Sequence, residues 1–266
     1  MGILNVTPDS FSADGLLPVA KKNPTKIIQL AQKLVADGAN IIDVGGESTR
    51  PGAKKISVDE EIARVIPVVK LLAKKISVPI SVDTYKPTVA QQALDAGATI
   101  INNIMGVNPN KELLKIVKTY NANIILMHIK GTPKTMQKNI RYKNLIQEII
   151  DDLKKSVEIC LEIGIKSDRI TIDPGLGFGK TVEHNFEIIR HLSEFKVLRK
   201  PILVGPSRKS FIGNFLNKDI DQRLPGTLAA VCASIHNGAD IVRVHDVAEV
   251  KDVVVIMNKI LKSKTQ

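Results

Sequence analysis

Short β-branched runs alternate with longer amphipathic stretches from one end of this 266-residue chain to the other. Eight strand candidates are legible: Gly2 to Val6, Asn40 to Val44, Pro79 to Val82, Thr99 to Ile101, Asn123 to Met127, Arg169 to Ile172, Pro201 to Val204 and Asp240 to Val244. A helical pattern follows each, for example Thr25 to Asp37, Val58 to Ile76, Asn144 to Ile163 and Ala248 to Leu261. Strands separated by helices cannot be hairpins, so they run parallel with crossover connections. Eight units averaging about 33 residues match the spacing of an α/β (β/α)8 TIM barrel, for which about 250 residues is usual. Periodicity alone does not prove closure, and a doubly wound open sheet is the alternative.

An internal echo supports the repeat. Gly38-Ala39, Gly97-Ala98 and Gly238-Ala239 each precede a strand by one or two residues. A glycine there can take the left-handed conformation that ends a helix. No proline-rich or polar linker divides the chain, so residues 1–266 are read as a single domain.

Composition removes several function classes. With 44% hydrophobic residues the chain can bury a full core. No apolar run approaches the roughly 18 residues that a membrane span needs. The amino terminus reads neither as a signal peptide nor, with Val6 in place of Ser or Thr, as a myristoylation site. Cys160 and Cys232 cannot make a disulfide framework or a zinc cluster and are read as helix-borne fillers in a reducing cytoplasm. The net charge of +11 could signal nucleic acid, an anionic substrate or only a lysine-rich surface. The lysines are scattered, and three tyrosines without tryptophan supply few stacking platforms, so a nucleic-acid partner is not expected.

Polar residues concentrate where the strands end. The segments are Asn5 to Phe11, Asp43 to Gly52, Asp83-Thr84, Asn102-Asn103, His128, Asp173 to Lys180, Ser207 to Ser210 and Arg243-Val244-His245. Barrel active sites are built on such loops. Arg50 offers a planar fork for phosphate, Arg243 and His245 share strand parity, and Ser207-Arg208-Lys209 precedes a helical pattern. Asp83, Asn102 and Asp173 supply acceptors for the paired N–H donors of an aminopyrimidine edge. A phosphate clamp beside a heterocycle pocket is the resulting expectation.

Plainer readings coexist with this one. Asp43 and, with less force, Asp83 could be loop caps, and Asp173-Pro174-Gly175 could be only a turn. His184, His191 and His236 fall on helical stretches without metal-ligand spacing. His128 is balanced between a satisfied barrel-end histidine and a pocket wall. Gly175 to Lys180 is glycine-rich but has neither Walker A spacing nor a full dinucleotide fingerprint.

Taken in order, Gly2-Ile3-Leu4-Asn5-Val6-Thr7-Pro8-Asp9-Ser10-Phe11-Ser12, the Gly45-to-Gly52 segment, Asp173-Pro174-Gly175, Ser207-Arg208-Lys209-Ser210 and Arg243-Val244-His245-Asp246 resemble the dihydropteroate synthases over nearly the whole chain. The resemblance implies transfer of a dihydropterin methylene from (7,8-dihydropterin-6-yl)methyl diphosphate to 4-aminobenzoate, by a dissociative step, in folate biosynthesis. It implies that Asp83, Asn102, Asp173 and Lys209 hold the pterin, with Thr49, Ile104, Met127, Phe178 and Val244 around it. Arg50, Arg243 and His245 would hold the diphosphate, and Asn5 would bind Mg²⁺. Phe11, Thr49, Arg50, Pro51, Phe178 and Ser210 would form the aminobenzoate subsite. It also implies a cytoplasmic homodimer. The chain departs from the family pattern at Ala13-Asp14-Gly15-Leu16, where Asp-Gly-Gly is usual, and at Asn103, where aspartate is common. It begins at strand one, without the short segment that often precedes it. A pterin-binding methyltransferase would share the heterocycle pocket without the phosphate clamp, and a silent pterin-binding paralogue would share both.

Overall fold

The computed structural model describes residues 1–7, 24–48, 53 and 55–262. Strands β1 (Gly2–Asn5), β2 (Ile42–Gly45), β3 (Ile80–Asp83), β4 (Ile100–Asn103), β5 (Asn123–Met127) and β6 (Ile170–Asp173) form one parallel sheet in chain order. Strands β7 (Leu203–Val204) and β8 (Ile241–Val242) form a parallel pair. Two bridges, Gly2 with Val244 and Ile172 with Ile202, join that pair to both edges of the six-stranded wall. Main-chain bonds complete the seams: Ile3 N–H donates to Val244 O at 3.0 Å and Ile172 N–H to Pro201 O at 3.0 Å. The sheet is therefore closed, and the open-sheet alternative is excluded.

Among the described residues the outer layer comprises α1 (Pro24–Ala36), α2 (Val58–Leu72), α3 (Pro87–Asp95), α4 (Lys111–Thr119), α5 (Leu145–Ile163), α6 (Val182–Arg190), α7 (Ser210–Leu216), α8 (Leu224–His236) and α9 (Val247–Lys262). Local chemistry sets several starts. Ser57 accepts from Glu60 N–H ahead of α2, Asn110 caps α4, Asn144 caps α5, and Thr181 with His184 makes a reciprocal box at α6. The echoed glycines Gly38, Gly97 and Gly238 take φ of 105°, 110° and 99°, the left-handed turn their spacing predicts.

Alternation along the strands creates both core and site. Ile42, Val44, Ile80, Val82, Ile101, Ile124, Leu126, Ile170, Ile172 and Val204 belong to one large core with helix residues such as Val65, Leu113 and Leu153. Inward-facing Ile100, Ile125 and Leu203, with Ile41 and Ile241 against them, form a separate apolar plug inside the barrel. Two residues further along, the same inward parity delivers Asp43, Asn102, Met127, Gly205 and Arg243 to the mouth. By the same step Ile3 leads to Asn5, Ser81 to Asp83 and Thr171 to Asp173. The plug is the floor on which the polar layer stands.

Strand limits differ modestly from expectation. β5 matches the expected span, whereas β7 and β8 pair over only two residues each. Helix α2 ends at Leu72 rather than Ile76, because Lys74, Lys75 and Ile76 turn back to bond Leu71 and Leu72 carbonyls.

Candidate active site

The cleft at the carboxyl ends of the strands is lined by Ile3, Asn5, Thr7, Asp83, Asn102, Ile104, Met127, Asp173, Phe178, Lys209, Ser210, Arg243 and His245, among others. Its centre is a buried charge cluster. Asp43, with no exposed surface, accepts from Asn102 Nδ2 at 3.1 Å and from Arg243 Nε at 2.6 Å. Arg243 Nη2 donates to Asp83 Oδ2 at 3.1 Å. One guanidinium thus spans two carboxylates from neighbouring strands. Asp43 is a correction: it caps no helix but orients two cleft residues. With its Nδ2 bonded to Asp43, Asn102 turns its carbonyl oxygen away from that carboxylate.

Burial sets the electrostatics. It pushes the Asp83 carboxyl up to about 7, with Asp43 adding to the rise and Arg243 opposing it. Burial likewise raises Asp173, against the pull of Lys209 and the Gly175 N–H that bonds Asp173 Oδ1 at 2.7 Å. Asp173-Pro174-Gly175 is therefore both a turn and a cleft wall. Burial lowers the Lys209 ammonium to about 8, partly offset by Asp173. For Arg243, burial favours the neutral form, but Asp43 and Asp83 outweigh it and hold the guanidinium charged. Lys209 Nζ donates to Leu176 O and stands 4.7 Å from the Phe178 ring centroid, a cation over an aromatic face.

The rim beside β7 and β8 is tied together by side chains. Ser207 Oγ bonds His245 Nδ1 at 3.0 Å and accepts from His245 N–H at 3.2 Å. Arg208 sits at φ 54°, a conformation that favours glycine, and its guanidinium bonds both carboxylate oxygens of Asp246. Arg208 therefore braces two loops, although its side chain still borders the cleft.

Several expectations need restating. Val244 is buried in the core with its backbone paired to Met1 and Ile3, because strand parity turns it outward from the cleft. His128 is a satisfied barrel-end histidine behind the cleft, bonded to Lys180. His184 belongs to the capping box of α6, while His191 lies just past that helix. Phe11, Thr49, Arg50, Pro51 and Ala13 to Leu16 lie outside the described residues. Thr7 and Glu47 also line the cleft; both fall in the polar segments expected at the strand ends, although no individual role was expected of them. Met136 is a cleft residue missed in the sequence, since it lies in a loop away from those segments.

A closed parallel barrel with buried carboxylates and cations converging at its carboxyl end defines a barrel enzyme for a small polar ligand. The chain matches the family described as pterin binding enzyme over residues 1–245. It is 48% identical over 248 residues to the dihydropteroate synthase of Synechocystis sp., covering 93% of this chain and 84% of that one. A Yersinia pestis dihydropteroate synthase solved in a sulfonamide drug complex superposes with a TM-score of 0.93 at 41% identity, over 99% of this chain and 94% of that one. A Xanthomonas albilineans dihydropteroate synthase solved with 4-aminobenzoic acid gives 0.89 at 35% identity, over 99% and 93%. The chain belongs to the pterin-binding enzymes and, within them, to the dihydropteroate synthases, a transferase family of folate biosynthesis.

Proposed function

We propose that this chain condenses (7,8-dihydropterin-6-yl)methyl diphosphate with 4-aminobenzoate, giving 7,8-dihydropteroate and diphosphate. The observation that carries the reading is the meeting of Asp83, Asn102 and Asp173 with Lys209, Arg243 and His245 in one cleft. The carboxylates and the Asn102 oxygen suit the N–H edge of an aminopyrimidine, while Lys209 donates to a ring acceptor. Ile104, Met127 and Phe178 give the flat ring apolar faces to lie against.

Chemically, the methylene C–O bond breaks first and its electron pair leaves with the diphosphate. The cation left on the methylene is delocalised into the dihydropterin ring. The aniline nitrogen then forms the C–N bond with its lone pair and loses a proton to solvent. Arg243 and His245, joined by Arg50, neutralise charge that grows on the leaving group, where positioned charge acts most strongly. A weakly basic amine needs no strong general base, so in this reading the Ser207–His245 pair at the cleft rim serves to hold His245 in place rather than to generate a nucleophile.

Magnesium fits this site. Gly45 lacks a side chain, and a Cβ there would stand 3.2 Å from Asn5 Oδ1, so the carboxamide oxygen has a clear cradle at the cleft. No three His, Cys, Asp or Glu gather as a metal site among the described residues. Mg²⁺ commonly takes one or two protein oxygens and completes its shell with water and substrate phosphate. Asn5 would hold it, and when bound it would supply positive charge to the leaving diphosphate.

Thr49, Arg50 and Pro51, with Phe11, Phe178 and Ser210, form the aminobenzoate subsite in this reading. Residues 1–266 work as one domain in a cytoplasmic homodimer. Unpaired Cys160 and Cys232 support a reducing compartment, and exposed Val255, Ile256 and Leu261 on α9 support a partner surface. No helix among the described residues is long and apolar enough to cross a membrane. A product assay tests the reaction: dihydropteroate should form only with both substrates and Mg²⁺, and its absence would refute the assignment.

A further inference from the structure

The glycine-rich run Gly175 to Lys180 matches no phosphate-binding fingerprint, and neither Lys180 nor His128 lines the cleft. Both are nevertheless almost inaccessible, at 3% and 1% exposure. A buried ammonium is tolerated only when its donors are matched. Lys180 Nζ has three acceptors, His128 Nδ1 at 2.8 Å, His128 O at 3.2 Å and Phe178 O at 3.0 Å. With Nδ1 accepting, the imidazole carries its proton on Nε2, which lies 3.5 Å from Asp152 Oδ2.

The loop above this lysine is held one carbonyl at a time. Leu176 O accepts from Lys209, Gly177 O from Gln137 Nε2 at 3.1 Å, Phe178 O from Lys180, and Gly179 O from Tyr142 Oη at 2.9 Å. Positive φ at Gly175, Gly177 and Gly179 (72°, 81° and 68°) lets successive carbonyls face different donors. A Cβ on Gly175 would lie 1.9 Å from His128 O, so the loop is pressed onto the segment after β5. The glycines and Lys180 are one device, and the ring it presents to the cleft is Phe178.

We propose that Lys180, seconded by Tyr142, is a positioning residue for Phe178: from beneath the loop the pair fixes the two peptide groups that follow that residue, through the Phe178 and Gly179 carbonyls, and so sets where its ring stands at the mouth. The proposal rests on the reading of Phe178 as part of the aminobenzoate subsite. Lys180 touches no substrate, and its effect passes through the ring.

Steady-state kinetics and calorimetric pterin binding on the full chain test this with K180M, Y142F, F178A and the two doubles that contain F178A. F178A should raise the aminobenzoate KM about tenfold and also weaken pterin binding, since its ring borders both, and K180M should raise the aminobenzoate KM by roughly fivefold or more with a loss of pterin affinity no larger than that of F178A. Adding K180M to F178A should leave KM no worse than F178A alone, since no ring remains to be positioned. Factors that multiply in the double variant, or an unchanged KM in K180M, would overturn the proposal. Should K180M fail to fold, Y142F carries the same cycle at about twofold, and multiplying factors there overturn it equally. If F178A itself leaves KM unchanged, the subsite reading fails instead. A crystal structure of K180M or Y142F then decides the positioning role, which an unmoved Phe178 ring would refute.

Discussion

The carboxylate side of the mouth stands on four-residue strands, each hydrogen-bonded to a neighbour on both flanks, whereas the cationic side hangs beyond two-residue strands. Asp43, Asp83, Asn102 and Asp173 lie within β2, β3, β4 and β6. Ser207, Lys209, Arg243 and His245 lie past the ends of β7 and β8; Ser207 and His245 hold one another, Lys209 is held by the Leu176 carbonyl, and Arg208 between them is tied to Thr227 and Asp246. Ladder bonds fix the first group to the register of the barrel. In the second group Arg243 is still tied to the wall through its N–H to Val204 O, whereas Ser207, Lys209 and His245 depend on local braces, including the unusual backbone of Arg208. The division suits the proposed chemistry, in which one side reads a rigid planar ring and the other follows charge that moves with the leaving group.

The largest expected effect tests the cationic side. Arg243→Ala should lower kcat/KM by about 10²–10³, the range for losing one positioned charge donor, while free pterin affinity falls much less. Equal losses in the two measurements would mean that Arg243 reads the ring rather than the leaving group. On the carboxylate side, Asp173→Asn should weaken pterin binding by about 1–3 kcal/mol by calorimetry, with Lys209→Met in the same range. If either leaves affinity intact, the division of labour fails at that residue.

Titration separates the two sides by pH. Pterin binding should strengthen as pH rises towards about 7, where Asp83 ionises, and weaken above about 8, where Lys209 loses its proton. Asp83→Asn should remove the acid limb, and Lys209→Arg should move the alkaline limb upward. Stability follows opposite signs to a naive expectation. The folded chain holds the Asp83 proton that the unfolded chain has lost, so this group's contribution falls as pH rises from about 4 to about 7. Lys209 is the reverse: the unfolded chain holds the extra proton between about 8 and 10.5, so its contribution rises across that window. Thermal unfolding from pH 5 to 8 should show the Asp83→Asn chain gaining on the parent as pH increases.

The smallest effect concerns the braces. Thr227→Val removes the acceptor 3.0 Å from Arg208 N–H and should cost about 1 kcal/mol by denaturant unfolding. A larger loss of pterin affinity than of stability would show that the Arg208 corner positions Lys209 for binding.

Much of this was legible in the residues. The alternation gave eight strands, and β5 appears over the expected span because its apolar run is bounded by turn residues on both sides. Met136 was invisible, since a methionine in a loop carries no signal until the loop folds against Phe178. Asp43 was misread because a carboxylate at a strand end looks alike whether it caps a helix or points inward. Its parity with Ile41 was available, but its partner Arg243 lies 200 residues away.

Periodicity and turn chemistry determined the order of elements, the mouth at the strand tips and the charged groups that gather there, because these depend on neighbours along the chain. Closure of the wall, the Asp43–Arg243–Asp83 cluster and the lysine beneath the glycine loop were decided only in three dimensions. Each joins groups far apart in sequence, and the low dielectric of a buried site, which no local pattern encodes, sets their strength.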